Sequence, residues 1–281
     1  MGHQKDHFPV LSMQAFSQGK PPDRGILFHE LHGERLIETP HKHDFFIAML
    51  FEQGRGSHTI DFVEHSLAAR QLHLLFPEQV HEWDMKKQTA CHQLMIGRAP
   101  FEYFLPSLRF SAASYQRHPV ISLDRPTFQT LLLEFQQVQL LLEAKEVFWP
   151  LVNARCATIG LLISQAAEYL FKSDAVTHPV LSRFISLIDQ HFKAQRSVAF
   201  YAGEINITPN YLNMLCNKHL RVSASSLLQE RVVLEAKRLL KASGMTVKEI
   251  VFELGFYDHA NFSKFFKAHT GMTPSEFKEL K

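Results

Sequence analysis

Cysteine is scarce in this chain of 281 residues, which contains three: Cys91, Cys156 and Cys216. They are widely spaced and odd in number, which excludes a small fold held together by disulfide bonds. Long hydrophobic runs are also missing. The longest, residues 45–51, is far shorter than the roughly 20 residues that cross a bilayer, and residues 1–7 lack the apolar segment of a signal peptide. We therefore expect reduced thiols, no membrane segment and a cytoplasmic protein.

Glycine and proline are few, with 12 and 13 residues, which excludes collagen-like and low-complexity sequence. Apolar residues make up 46% of the chain and charged residues 21%, a balance that is typical of a globular protein. Because a domain usually has roughly 100–200 residues, the length predicts two domains.

The charge is unevenly distributed along the chain. The formal net charge is only +2, but residues 1–178 hold 16 Lys and Arg against 19 Asp and Glu, whereas residues 179–281 hold 14 against 9. A basic C-terminal part predicts that this end meets a polyanion. Histidine is distributed in the opposite way, because 13 of the 17 precede residue 179. The two parts therefore carry different chemistry.

The N-terminal part begins with strands and ends with helices. Within residues 24–104, apolar residues alternate over short segments separated by turn signals such as residues 53–56, which predicts a small all-β sandwich or barrel. The period then changes to three and four. This predicts a helix over residues 124–148 that is ended by Pro150, and a second helix over residues 151–171, together an αα-hairpin.

The first of these helices carries a single apolar stripe with the spacing of a coiled-coil seam. Two interpretations stay open: the stripe covers the sheet of its own domain, or it forms the contact of a homodimer. The residues of the stripe are Phe128, Leu131, Phe135, Val138 and Leu142.

Helix start signals recur in the C-terminal part, which follows a short polar linker ending at Pro179. Thr208 and Thr273 are each followed by proline, and Thr246 and Thr273 are each followed three residues later by glutamate. These are patterns of the N-cap, the first-turn proline and the capping box. Asp258 is a further N-cap candidate.

These signals predict two units, each made of a short helix, a tight turn and a longer helix. The turns lie at Asn206 and Gly255, residue types that tolerate a left-handed backbone. Each unit matches the helix-turn-helix plan. Between them, residues 225–242 form one helix of about 27 Å at 1.5 Å per residue. A spacer of that length suits two recognition helices about 34 Å apart, one turn of DNA.

The same region contains segments 235–240, 247–250, 254–267 and 270–274 in this order, preceded by segment 207–212 at the entry to the first recognition helix. Over residues 180–281 this series resembles the DNA-binding domain of the AraC-type transcriptional regulators. The resemblance implies an all-α double helix-turn-helix domain that binds double-stranded promoter DNA, and contact with RNA polymerase.

By this resemblance, the exposed faces of the two recognition helices contact DNA. Asparagine can pair with adenine, lysine can pair with guanine, and methionine or alanine can contact a thymine methyl group. For each residue the alternative is an ordinary solvated helix face. The expected base-reading residues are Asn210, Asn213, Met214, Asn217, His259, Ala260, Ser263 and Lys264, and the residues expected at the helix entry or on phosphates are Thr208, Tyr211, Lys218, Arg221 and Lys267.

Arg221 departs from the family pattern, in which glycine usually ends the first recognition helix. In a left-handed conformation, arginine costs roughly 1 kcal/mol relative to glycine. We therefore expect either a remodelled turn at this position or a side chain that regains the energy on a DNA phosphate.

Three histidines are placed where the lip of a barrel would gather them: His41 and His43, on one face of a strand, and His81. This segment is similar to the cupin-like sensor domain of the same regulators, which implies a jelly-roll barrel that binds a small-molecule effector. Ile47 and Ala48 stand where metal-binding cupins have a carboxylate ligand. Three interpretations of the trio stay open: contact with a small molecule, structural hydrogen bonding, and a metal site. The other expected ligand contacts are Arg24, Phe45, Trp83 and His92.

We therefore expect residues 1–23 to form an arm that folds over the pocket or is disordered, and residues 24–171 to form a cupin-like sensing and dimerisation domain. Residues 172–179 form the linker, and residues 180–281 form the DNA-binding domain. The expected protein is a homodimeric transcription regulator that responds to a small-molecule effector, requires no cofactor and is not an enzyme. The alternatives are a cupin-type metalloenzyme with a DNA-targeting domain and a ligand-independent regulator.

Overall fold

A computed structural model describes residues 10–11, 13, 25–173 and 178–280. The chain divides into two compact units, residues 9–170 and residues 171–281, which we describe one at a time. Arg24 and most of the expected N-terminal arm lie outside the described residues. Of that arm, a two-residue strand pairs with the first sheet, and Met13 is buried in the core of the first unit.

The first unit contains two sheets that enclose one apolar interior. One sheet has the strand order β1-β3-β8-β5-β6, the other has the order β10-β7-β4-β9-β2, and each pairing is antiparallel except that of β1 with β3. Met49 on β4, Ile60 on β5 and Trp83 on β8 meet in the interior, so the predicted β-rich, cupin-like fold is confirmed. The strands are β1 (Val10–Leu11), β2 (Ile26–His32), β3 (Arg35–His43), β4 (Phe46–Gln53), β5 (Gly56–Ile60), β6 (Val63–Ser66), β7 (Gln71–Leu75), β8 (Val80–Met85), β9 (Ala90–Ile96) and β10 (Val120–Ser122).

The central strand β4 is buried on both faces, which explains why its sequence is an unbroken apolar run rather than an alternating one. Ile47 lies in the interior between the sheets. Its neighbour Phe46 points the other way, towards helix α1 (Arg98–Phe104), and stacks on Phe101 with 5.3 Å between ring centroids. A helix therefore covers the outer face of this sheet.

The first unit continues with a turn of 3-10 helix (Leu105–Ser107), helix α2 (Ala112–Arg117) and then the αα-hairpin of α3 (Arg125–Leu142) and α4 (Trp149–Ser173). We predicted that Pro150 ends the first helix of the hairpin. It lies instead in the first turn of the second helix. A proline is tolerated there because the first N–H groups of a helix have no intrahelical partner. Arg155 of α4 joins the two helices through both carboxylate oxygens of Glu134, at 2.9 and 3.0 Å.

The apolar stripe of α3 faces the inside of this unit. Leu131, Phe135 and Val138 are fully buried, and the Phe135 ring meets Phe28 of β2 edge to face at 6.3 Å. Phe128 is buried as well, and Leu142 is half-buried. This packing corresponds to the first interpretation, in which the stripe covers the sheet of its own domain. A dimer contact through these side chains would require the helix to leave its own core.

The second unit is entirely helical in the described residues. Its core gathers side chains from every helix between Leu181 and Phe266, and Tyr201, Phe262 and Phe266 are completely buried. The helices are α5 (Pro179–His191), α6 (Val198–Glu204), α7 (Pro209–Leu220), α8 (Ala224–Ala242), α9 (Val247–Glu253), α10 (His259–Thr270) and α11 (Pro274–Glu279).

The predicted helix signals of this unit are confirmed. Thr208, Asp258 and Thr273 are side-chain N-caps, and the capping boxes of Thr246 and Thr273 are complete. The two turns contain left-handed residues at Asn206, with φ 58°, and at Gly255, with φ 72°. Two helix-turn-helix units therefore stand at the predicted positions.

Candidate functional site

The first recognition helix, α7, has one buried and one open face. Leu212, Leu215 and Cys216 are buried in the helical core. Thr208 caps the helix by accepting a hydrogen bond of 3.2 Å from the Tyr211 N–H, which fixes the direction in which the first turn leaves the preceding turn. Of the residues that we predicted to contact DNA, Thr208, Asn210, Tyr211, Met214, Asn217, Lys218 and Arg221 are exposed.

Asn213 differs from the other predicted residues of α7. It is half-buried, and its Oδ1 accepts a hydrogen bond of 3.1 Å from the backbone N–H of Ala224, the first residue of α8. Its side-chain carbonyl is therefore engaged inside the protein.

Arg221 ends α7 in the left-handed conformation, with φ 60° and ψ 18°. The turn is thus not remodelled, and the side chain is exposed on the same helix end as Lys218. The folded protein therefore bears the energetic cost of the left-handed conformation at Arg221. The guanidinium of this residue is exposed and available to a partner.

The second recognition helix, α10, repeats this arrangement. Phe262 and Phe266 are fully buried, and Asp258 caps the helix through a hydrogen bond of 2.7 Å from the Asn261 N–H. Ser263 is half-buried, with its hydroxyl 3.3 Å from Nδ1 of His259. The predicted contacts His259, Ala260, Lys264 and Lys267 are all exposed.

The sequence analysis missed Tyr257, which precedes the N-cap of α10 and is 97% exposed. Aromatic side chains are usually at least partly buried, and an exposed ring beside a recognition helix is suited to contact a nucleic-acid backbone or base. The available signal was an aromatic residue between the turn and the N-cap, outside both apolar stripes.

A charged cluster ties the helix between the two motifs to the first helix of the unit. Arg231 of α8 donates to Asp189 of α5 at 2.9 Å and to Glu235 at 3.0 Å. Its guanidinium also lies 4.0 Å above the ring centroid of Phe192. These contacts hold α8 against the rest of the unit. The helix that connects the two recognition helices is therefore fixed in position.

In the first unit the structure brings together the three predicted histidines. His41 and His43 lie on β3 and His81 lies opposite His41 on β8, and all three are buried. Nε2 of His43 is 2.8 Å from Nε2 of His81. One ring nitrogen from each of the three lies within 4.8 Å of the other two. The sequence analysis therefore identified a real cluster.

The cluster continues through two histidines that the sequence analysis missed. Nδ1 of His81 is 3.0 Å from Nε2 of His58, and Nδ1 of His58 is 3.0 Å from Nδ1 of His73. Nε2 of His73 is 3.2 Å from Oε1 of Gln71. His58 and His73 belong to different sheets, so only the packing of the sheets brings them together.

These histidines are neutral at physiological pH because they are buried. Desolvation lowers the pKa of His73 to about 3. Burial, reinforced by the neighbouring imidazoles, lowers the pKa of His58 and of His81 well below the usual value. A neutral imidazole has one nitrogen that donates and one that accepts a hydrogen bond or binds a metal.

The other predicted ligand residues divide into two groups. Phe45 and Trp83 lie against the cluster, with ring centroids 4.6 Å from His43 and 5.2 Å from His81. His92 does not join it. Its Nε2 is 2.6 Å from Oε1 of Glu52, on the face of β9 opposite to Cys91, because side chains alternate along a strand. Arg24 lies outside the described residues.

A separate cavity of about 270 Å³ lies between β2 and the αα-hairpin. Its wall is mainly apolar with two polar side chains, and it includes none of the six predicted ligand residues that the structure describes. The lining residues are Ile26, Leu27, Phe28, Gln139, Leu142, Glu143, Val147 and Trp149.

Across the described residues, none of the helices combines the length and the apolar character that crossing a bilayer requires. The three cysteines are buried thiols.

A β-rich unit with an enclosed histidine cluster and a helical unit with two helix-turn-helix motifs define a two-domain transcription regulator with a ligand-binding domain. Residues 25–145 match the family model of the AraC-like ligand binding domain, and residues 201–279 match that of a helix-turn-helix domain. The chain belongs to the AraC family of transcriptional regulators, as the resemblance predicted.

The chain is also similar to individual regulators and to solved structures. The chain is 22% identical over 251 residues to the HTH-type transcriptional activator RhaS of Escherichia fergusonii, which covers 85% of this chain and 87% of the relative. It is 33% identical over 92 residues to the arabinose operon regulatory protein of Salmonella typhimurium, covering 33% and 31%. Among solved structures, fatty acid-bound ToxT of Vibrio cholerae aligns over 92% of this chain and 96% of its own, with 13% identity and a TM-score of 0.46.

Proposed function

We propose that this chain binds specific promoter DNA through both recognition helices, and that an effector bound by its N-terminal unit modulates this binding. One observation carries the proposal. Helices α7 and α10 each bury an apolar face in a shared core and expose an opposite face of amide, hydroxyl, imidazole and ammonium groups. Such a face is what reading a DNA groove requires.

The exposed residues divide by chemistry. Asn210, Asn217 and Lys264 are suited to base edges because amides pair with adenine and ammonium groups with guanine. Lys218 and Lys267 lie towards the C-terminal ends of their helices and are suited to phosphates, which set the register without reading sequence. We include Tyr257 among the phosphate or sugar contacts.

The effector half of the proposal is supported by the match to the AraC-like ligand binding domain and by the cavity between β2 and the hairpin. A cavity of about 270 Å³ is close to the lower end of the range of small-molecule sites. We further propose that the chain acts in the cytoplasm as a homodimer that engages RNA polymerase, and that it acts by binding rather than by catalysis.

The test begins with selection of bound sequences from a random duplex library by the full chain. Affinities for the selected and a scrambled duplex are then measured at several salt concentrations. Lys264→Ala should weaken binding to the selected duplex by about 1–3 kcal/mol with little effect on the scrambled one, whereas Lys267→Ala should weaken both equally and reduce the salt slope by about one. Lys145→Ala, an exposed lysine of the first unit, is the control. Failure to enrich any sequence would overturn the proposal.

A further inference from the structure

The histidine cluster has the dimensions of an ion site rather than of a site for an organic molecule. His41 and His43 are 3% exposed and His81 is 1% exposed, and their three candidate ligand atoms lie within 4.8 Å of one another. Aromatic side chains pack around the cluster: Phe45 lies against His43, and Trp83 lies against His81. Three nitrogen atoms this close together can share one ion at most.

The hydrogen bonds behind the cluster fix which nitrogen of His81 carries a proton. Oε1 of Gln71 accepts a hydrogen bond of 2.8 Å from the Ala68 N–H, so it is also the acceptor for His73. Nε2 of His73 therefore donates, and its Nδ1 must accept from His58 Nδ1. His58 Nε2 in turn accepts from Nδ1 of His81.

The consequence is that Nε2 of His81 has no proton and directs its lone pair into the cluster, where His43 Nε2 donates to it across 2.8 Å. This chain of donors is the arrangement that supports metal-ligating histidines, in which the second ring nitrogen donates to an outer partner and thereby fixes the tautomer.

We propose that His41, His43 and His81 bind one divalent transition-metal ion of the zinc class, and that the Gln71–His73–His58 chain holds His81 in the tautomer that ligates it. The proposal concerns this site alone and does not depend on the DNA-binding function.

The donor set determines which ions suit the site. Three imidazoles without a carboxylate favour Zn²⁺ and the neighbouring metals Co²⁺, Ni²⁺ and copper over Mg²⁺ and Ca²⁺, which prefer oxygen ligands. With zinc–nitrogen bonds of about 2.0–2.1 Å, ligand atoms in a tetrahedral site are about 3.3 Å apart. The separation of 2.8 Å between His43 and His81 must therefore widen, and the proton on His43 Nε2 must leave that nitrogen as the ion binds.

A tetrahedral site also requires a fourth ligand. The ring of Trp83 lies beside the cluster, with its centroid 5.2 Å from that of His81. Its buried indole N–H has no hydrogen-bond partner within the described part of the chain. Three neutral imidazoles leave the charge of the ion uncompensated, so a hydroxide or another anion is the favoured fourth ligand.

The experiment titrates chelator-treated full-length chain with Co²⁺, an optical probe of zinc sites, and follows its visible absorption together with the metal content after gel filtration. We expect one equivalent to bind, with the intense visible bands of four-coordinate cobalt, and to be displaced by Zn²⁺. His41→Ala, His43→Ala and His81→Ala should each lower the affinity at least 100-fold. The exposed His29→Ala is the matched control and should bind as the wild type does.

The outer chain has its own test. Gln71→Met removes the acceptor that orients the tautomers, and we expect about 10-fold weaker Co²⁺ binding with the visible bands retained. If an alanine variant does not fold, His43→Gln replaces it, and circular dichroism reports the fold. A folded wild type that retains no Co²⁺ would overturn the proposal, as would a bound ion whose affinity and spectrum do not change in the three histidine variants.

Discussion

Asn213 and Ala224 join the first recognition helix to the helix that follows it, because the side-chain carbonyl of Asn213 accepts the backbone N–H of Ala224 at 3.1 Å. Ala224 is the first residue of α8, and its N–H is one of the donors that a helix cannot satisfy internally. Asn213 therefore acts as an additional cap from a neighbouring element. This geometry favours a positioning role over the base-reading role that we predicted.

The positioning role gives a prediction for Asn213→Ala. The loss of one hydrogen bond to a buried helix start should lower the free energy of unfolding by about 1 kcal/mol, measured by urea denaturation. DNA affinity should fall by the same factor on selected and scrambled duplexes. Asn217→Ala, on the exposed face of the same helix, is the comparison and should leave stability unchanged while relaxing base preference. Unchanged stability together with altered base preference in Asn213→Ala would restore the base-reading role.

The turn of the second helix-turn-helix unit requires glycine for two reasons. Gly255 has φ 72°, and a Cβ at this position would lie 2.4 Å from the carbonyl oxygen of Lys193. We expect Gly255→Ala to lower the free energy of unfolding by at least about 2 kcal/mol, since the left-handed conformation alone costs about 1–2 kcal/mol. Thermal and urea denaturation provide the measurement.

A second glycine offers the matched control for this substitution. Gly203 lies in α6 without a positive φ, and a Cβ added there would meet no atom within 4 Å beyond the backbone of its own helix. Gly203→Ala should therefore raise stability by about 0.5–1 kcal/mol, as alanine does in a helix. Equal effects of the two substitutions would contradict the account of the turn.

The helical unit could be predicted almost completely from sequence because its signals are local. Each N-cap and capping box links residues three positions apart, and each turn depends on one residue such as Asn206. The histidine chain could not be predicted in this way. His58 and His73 meet only after two sheets have packed, and a pattern within one strand does not show which strand will face it.

The stripe of α3 shows a related limit. Its period identified the apolar face correctly, and Phe135 and Val138 are fully buried. However, a coiled-coil seam and a helix that covers a sheet have nearly the same spacing. The choice depends on residues far away in sequence, here Phe28 of β2.

Arg221 combines a structural cost with an exposed charge, so its replacement by glycine should separate stability from binding. The arginine has φ 60° at the end of α7. We expect Arg221→Gly to raise the free energy of unfolding by up to about 1 kcal/mol by relieving the left-handed strain. DNA affinity should nevertheless fall, and the salt slope should decrease by about one if the guanidinium contacts a phosphate. Unchanged affinity would remove Arg221 from the interface.

Stability should depend on pH through the buried histidines. In the folded protein burial lowers the pKa of His73 to about 3, whereas an unfolded histidine has a pKa of about 6.5. Between these values the unfolded state binds a proton that the folded state does not, so stability is fully present above about pH 6.5 and decreases as the pH falls towards 3. One such group contributes up to about 1.4 kcal/mol per pH unit. Urea denaturation between pH 7 and 4 measures the slope, which His73→Gln should reduce by about one proton and His29→Ala should leave unchanged. A wild-type stability that is independent of pH over this range would show that His73 is not buried in its neutral form.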